Sequence, residues 1–162
     1  VELARIAAYM HDIGNVVNRH DHALSGATMA FRILDKMGME PADVAAVITA
    51  IGHHDDSTAF PVNAVAAALI LADKTDVRRS RVRNKDMATF DIHDRVNYSV
   101  ERSEVLLDVP GRTVTLSLSI NTQVCAVMDY FEIFLQRMLL CRRAAEALSL
   151  KFRLEINGQV LL

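Results

Sequence analysis

The spacing of hydrophobic positions predicts four helices in the first half of the chain. They are expected at about residues 2–12, 22–36, 40–52 and 63–79. The second of them should bury Ala27, Phe31 and Leu34. The fourth is almost wholly apolar from Val65 to Ala72, which is typical of a central buried helix. The first half is therefore expected to be a helical bundle.

The pattern changes after residue 103. Alternating or β-branched segments predict two hairpins on either side of one long helix, and the second hairpin turns at Asn157-Gly158. The predicted elements are strands at 104–108 and 113–120, a helix at 123–148, and strands at 151–156 and 159–162. The expected fold class is mainly α: a helical domain over 1–103, followed by a small α+β subdomain, ββαββ, over 104–162.

Composition narrows the function classes. The 162 residues are 51% hydrophobic and 23% charged with a net charge of -2, which argues against disorder and against an electrostatic nucleic-acid partner. No long apolar run or signal peptide is present, so we expect a soluble cytoplasmic protein with no membrane partner. Cys125 and Cys141 lie about 24 Å apart along one predicted helix, too far to bridge, and are expected as buried thiols.

Histidines cluster at the predicted helix ends. Five of the six lie between residues 11 and 54, and His11 stands beside Asp12 where the first helix ends. Asp73 adds a carboxylate to the most apolar helix, where a charge is costly unless it is paired or bound to a metal. Imidazole and carboxylate groups meeting at one end of a bundle predict a divalent metal site.

The ordered set of His11-Asp12, His22, His53-His54-Asp55 and Asp73 resembles the HD-domain superfamily of metal-dependent phosphohydrolases, over roughly residues 1–103. The resemblance implies a helical fold and hydrolysis of a phosphoester or phosphoanhydride bond by a metal-bound hydroxide. It also implies a small phosphorylated substrate, expected to be nucleotide-like. The alternative is a non-catalytic regulatory module that binds a metal or nucleotide.

Residue by residue, the resemblance implies that His11, Asp12 and Asp73 bind one ion. Asp12 would bridge to a second ion held by His22 and His54, with His53 as the rival of His54. Mixed nitrogen and oxygen ligands suit Mn, Fe, Co, Ni or Zn, and two ions are expected. Lys74 is a candidate for charge neutralisation or proton transfer. A basic run provides candidate phosphate-binding side chains: Arg78, Arg79, Arg81 and Arg83.

One member of the family pattern is missing. The family's first histidine precedes the His-Asp pair, and nothing before His11 supplies it. The first helix also lacks an N-cap residue, so we expect the natural protein to extend upstream; a degenerate site is the alternative. The ββαββ subdomain is expected either to form a homodimer or to sense a ligand, and the residues favour neither.

Overall fold

The computed structural model describes residues 1–161, and within them the chain forms six α-helices and four β-strands. The order of these elements confirms the predicted mainly α class with a ββαββ tail. The helices are α1 Glu2–Met10, α2 His22–Lys36, α3 Pro41–Gly52, α4 Ala64–Lys74, α5 Ile92–Ser99 and α6 Val127–Ala147. The strands are β1 Val100–Asp108, β2 Thr113–Ile120, β3 Lys151–Ile156 and β4 Gln159–Val160.

The described chain divides into two compact units. The first unit comprises Val1–Asp73 and Arg143–Leu148, and the second comprises Lys74–Arg142 and the described residues from Ser149 onward. The predicted domain boundary between residues 103 and 104 stays a prediction, and β1 runs across it.

The core of the first unit is formed by the packing of α3 against α1 and α2. In α2, small residues face inward: Gly26 and Ala30 are buried together with Leu34. The prediction that Phe31 is buried is wrong, because Phe31 is half-exposed. At Gly26 the backbone of α2 lies close to the backbone of Gly14 and His11, which leaves no room there for a large side chain. The buried apolar cluster is Ala7, Met10, Ala30, Leu34, Val44, Val47, Ala50, Ile51, Ala66 and Leu69.

The fourth helix is shorter than predicted. It ends at Lys74 instead of Arg79, and the backbone of Arg78 is extended before a short 3₁₀ turn at Arg79–Arg81. The β-branched residues Thr75 and Val77 disfavour a further helical turn. Asp76 then stabilises the loop through two ion pairs. Its Oδ1 lies 2.8 Å from a guanidinium nitrogen of Arg78, and its Oδ2 lies 2.8 Å from one of Arg81.

The second unit contains one four-stranded sheet in the order β1-β2-β3-β4. The β1–β2 and β3–β4 pairs are antiparallel hairpins, and β2 and β3 are parallel. A parallel pair needs a crossover connection, which α6 provides. The second hairpin turns at Asn157 and Gly158, both with positive φ, as an Asn-Gly turn requires. Every second residue of β2 is buried: Val114, Leu116, Leu118 and Ile120.

Cys125 and Cys141 form no disulfide and are buried, as predicted. Among the helices that the structure describes, none combines the length and the apolar character needed to cross a membrane.

Candidate metal centre

The His-Asp pair lies where the backbone leaves α1. The helix ends at Met10, and the chain passes through Asp12, at φ -97° and ψ 7°, into a 3₁₀ turn at Ile13–Val16. Successive residues of an α-helix point about 100° apart and would diverge. The backbone leaves the α-helical conformation only at Asp12, and His11 Nε2 lies 3.6 Å from Asp12 Oδ2.

Three histidines are oriented in the same way. The Nδ1 atoms of His11, His22 and His54 lie 2.7, 3.0 and 2.6 Å from the backbone carbonyl oxygens of Ala8, Arg19 and Ile51, respectively. A carbonyl oxygen only accepts, so each Nδ1 carries the proton and donates it. In the neutral ring this leaves the Nε2 lone pair as the available ligand, the arrangement found for metal-binding histidines.

The Nε2 atoms of His22 and His54 lie only 3.2 Å apart. In the tautomer fixed by the carbonyl bonds, both atoms present lone pairs, which repel each other at this distance unless a cation lies close to both. The two rings are also almost wholly buried, at 2% and 1% exposure, so bulk water does not relieve this repulsion. This donor set therefore fits a bound metal ion.

Asp12 presents a different oxygen to each side of the cluster. Its Oδ1 lies 3.2 Å from His22 Nε2 and 3.8 Å from His54 Nε2. Its Oδ2 faces His11, whose Nε2 is also 3.8 Å from Oδ1 of Asp73. His11 and Asp73 thus lie on one side of Asp12, and His22 and His54 lie on the other. The Asp12 side chain is half-exposed, which leaves this side of the cluster accessible to a ligand.

The cluster is compact enough for one shared ion as well. One ligand atom each from His11, Asp12 and His54 lie within 4.8 Å of one another. The His54 ring stands edge-on to both other rings, with centroid separations of 5.0 Å to His11 and to His22. The chain's own residues could hold one ion or two.

Two glycines set the distance between the 3₁₀ turn and α2. A Cβ on Gly14 would lie 2.6 Å from the backbone nitrogen of Gly26 and would overlap the carbonyl oxygen of His22. Gly26 in turn lies close to the carbonyl oxygen of His11. The backbone that carries His11 and Asp12 therefore rests directly on the backbone that carries His22.

The remaining predicted residues lie in several places. His53 Nδ1 donates to the carbonyl oxygen of Thr49, and its side chain lines a cavity of about 400 Å³ together with Asp21, Asp55 and Thr58. Within residues 1–161, His53 forms no hydrogen bond, ion pair or ring contact with the cluster around Asp12. Lys74 is buried as the last residue of α4. Roles for these residues stay predictions.

The four arginines of the basic run belong to the second unit. Arg78 and Arg81 hold Asp76, and Arg79 donates from Nε to the carbonyl oxygen of Tyr98 at 2.7 Å. The Arg79 guanidinium also stacks on the Tyr98 ring, 4.4 Å from its centroid. Arg83 is exposed. Phosphate binding by these side chains stays a prediction.

Sequence reasoning assigned no role to two residues at the cluster. A guanidinium nitrogen of Arg19 lies 3.5 Å from Asp12 Oδ1 and 3.5 Å from His22 Nε2. Asp55 Oδ1 lies 3.9 Å from the same His22 nitrogen. The available signals were weak: Arg19 stands one turn before His22 in a polar connection, and Asp55 directly follows His54.

We predict different results from replacing the two adjacent histidines. His54→Asn keeps an amide donor near the Nδ1 position but removes the Nε2 ligand, so metal affinity should fall by roughly 10–100-fold or more. His53→Asn should leave metal affinity within about twofold. Isothermal titration of each variant with Mn²⁺ measures this, with circular dichroism as the check on folding. An equal loss in both variants would contradict the assignment of His54.

The fold and the histidine–aspartate cluster define a helical protein with a candidate metal centre. The family model described as the HD domain matches residues 1–133, and the chain therefore belongs to the HD-domain family. This is a family of metal-dependent phosphohydrolases, as the ordered residues indicated. No curated protein and no solved structure matches the chain.

Proposed function

We propose that the chain is a metal-dependent phosphohydrolase that cleaves a phosphoester or phosphoanhydride bond in a small, nucleotide-like substrate. The observation that carries the proposal is the convergence of two buried imidazole lone pairs and a half-exposed carboxylate, His22 and His54 with Asp12, at 3.2 to 3.8 Å. Membership of the HD-domain family supports the class of reaction.

The ligand types favour transition-metal ions. Imidazole nitrogens combined with carboxylate oxygens suit Mn, Fe, Co, Ni or Zn better than Mg, which prefers oxygen ligands and water. We propose two ions, with His11 and Asp73 as ligands on one side, His22 and His54 on the other, and Asp12 between them. When bound, such ions lower the pKa of a coordinated water and neutralise phosphoryl charge.

The protein's own groups divide the remaining tasks. His22 and His54 exclude water from the inner side of the centre because they are buried. Asp12 can accept a hydrogen bond from the attacking water at its exposed edge and orient it towards phosphorus. The Arg19 side chain is mostly exposed beside Asp12, and its planar guanidinium can donate two hydrogen bonds to phosphoryl oxygens.

The cavity that His53 and Asp55 line supports a small organic substrate, and Asp55 links it to the cluster because its Oδ1 lies 3.9 Å from His22 Nε2. Its volume of about 400 Å³ falls within the range of small-molecule sites, roughly 300–1,000 Å³. The apolar residues Leu24 and Ile48 line it together with the polar residues Thr49 and Thr58. This mixture suits a sugar or base attached to the phosphate, while Arg19 suits the phosphate itself.

The proposal is tested by chromatographic analysis of the products formed from a panel of a phosphomonoester, a nucleoside monophosphate, a nucleoside triphosphate and a dinucleotide. We expect the Mn²⁺-loaded chain to hydrolyse at least one of the nucleotide-like compounds, and chelator-treated chain to hydrolyse none. Two tightly bound metal equivalents without cleavage of any compound would overturn the enzyme proposal in favour of a regulatory metal-binding module.

A further inference from the structure

The outer edge of the sheet carries an exposed apolar segment. β1 is the first strand in the sheet order, and among the described strands only β2 pairs with it. Val105 and Leu107 point to the same face as their partners Leu116 and Val114, which are buried. Val105 and Leu107 are nevertheless 52% and 60% exposed. The apolar face of the sheet therefore continues to an edge at which its side chains are exposed to solvent.

β1 lacks most of the features that protect sheet edges. Edge strands are usually short, or interrupted by a bulge, a proline or an inward-pointing charge. β1 is nine residues long, and its one register shift lies at its start, between Val100 and Arg102. Residues 105–107 are three consecutive apolar residues, and Leu106 is exposed on the opposite face. Such an edge is suited to pairing with another strand.

We propose that this edge pairs with β1 of a second copy of the chain, antiparallel and about a two-fold axis at Val105. A two-fold axis perpendicular to the sheet keeps both apolar faces on the same side. In this register Arg102 lies opposite Asp108 of the second copy, and the same pair recurs at the other end by symmetry. Val105 lies opposite Val105 of the second copy, and Leu107 lies opposite Ser103 of the second copy.

Charge complementarity selects this register and this occupant. An axis at Glu104 would place two copies of Glu104 opposite each other, and an axis at Leu106 would place Glu104 opposite Asp108. Like charges directly opposite in a sheet are destabilising. An axis at Ser103 would pair Arg102 with Glu104 but leave Leu107 beyond the paired strands. Of these four registers, only the one with its axis at Val105 places opposite charges against each other and also covers the apolar residues.

The test is site-specific cross-linking of the full chain. Directly opposite residues of antiparallel strands have Cα atoms about 4.5–5.5 Å apart, within the range that a disulfide spans. Val105→Cys should therefore form a covalent dimer with the mild oxidant diamide. The matched control Ser103→Cys should not, because it faces Leu107 of the second copy.

The native cysteines should contribute little to cross-linking by diamide. Cys141 is fully buried, and burial together with a hydrogen bond to Asp129 raises the pKa of the Cys125 thiol, which lowers its reactivity.

Sedimentation of the unmodified chain should show a dimer. Arg102→Asp should weaken dimerisation by at least about tenfold, with recovery in the double variant Arg102→Asp/Asp108→Arg. A monomer at all concentrations, or preferential cross-linking of Ser103→Cys, would overturn the proposal.

Discussion

Replacing Asp12 by asparagine should lower the rate of substrate hydrolysis by at least about 100-fold. Loss of groups that merely orient metal ligands costs roughly 10–100-fold, and Asp12 faces both sides of the centre directly. Its Oδ1 lies beside His22 and His54, and its Oδ2 lies beside His11. The amide keeps the size of the carboxylate but removes the charge that a bridging ligand provides. Steady-state rates with saturating Mn²⁺ measure the effect.

Asp35→Asn is the matched control. Asp35 is an exposed aspartate on α2, and the same substitution there removes one negative charge from the chain. We expect its rate to stay within about twofold of the unmodified chain. Both variants should give the same circular dichroism spectrum, since Asp12 is half-exposed and outside the apolar core. A folded Asp12→Asn chain with full activity would rule out a central role for this carboxylate.

Among glycine-to-alanine substitutions in the first unit, Gly14→Ala should lower the free energy of unfolding most. The added Cβ would overlap the carbonyl oxygen of His22 and lie 2.6 Å from both Gly26 N and Ser25 Oγ. Backbone atoms cannot move aside independently, so the 3₁₀ turn must shift away from α2. Overpacking of this kind costs about 1–3 kcal/mol of unfolding free energy. The melting temperature should fall by roughly 2–4 °C per kcal/mol for a chain of this size.

Metal affinity should fall with stability in this variant, because the shift separates Asp12 from His22. Gly52→Ala provides the comparison. A Cβ at Gly52 would meet only the Ala27 Cβ, at an ordinary 3.7 Å, and alanine is the better helix former. We expect Gly52→Ala to melt at the same or a higher temperature. Equal melting temperatures for Gly14→Ala and the unmodified chain would show that the two backbones are not in close contact.

The bounds of α2 and the family were predictable because their signals are local. The periodicity of α2 gave its bounds, and the order of His11, His22, His54 and Asp73 gave the family. The histidine tautomers also follow a local rule, since His11, His22 and His54 each bond a carbonyl oxygen three residues earlier. A hydrogen bond between residues three positions apart can be predicted without knowledge of the tertiary structure.

The features that escaped prediction depend on contacts between distant segments. Gly14 is typical of a helix stop, and only the approach of α2 shows why a side chain does not fit there. Phe31 has the correct spacing for burial but faces solvent, because α2 turns Gly26 and Ala30 inward. Arg19 looked like part of a polar connection until the fold brought it within 3.5 Å of Asp12.

The most direct test of the metal centre is the rate of substrate hydrolysis as a function of bound metal in chelator-stripped chain. We expect no hydrolysis without metal, a rise in rate as Mn²⁺ is added, and a plateau at two bound equivalents per chain. Asp12→Asn should stay near the baseline throughout the titration. A rate that does not depend on bound metal, or a plateau that Asp12→Asn also reaches, would contradict catalysis by the cluster of His11, Asp12, His22, His54 and Asp73.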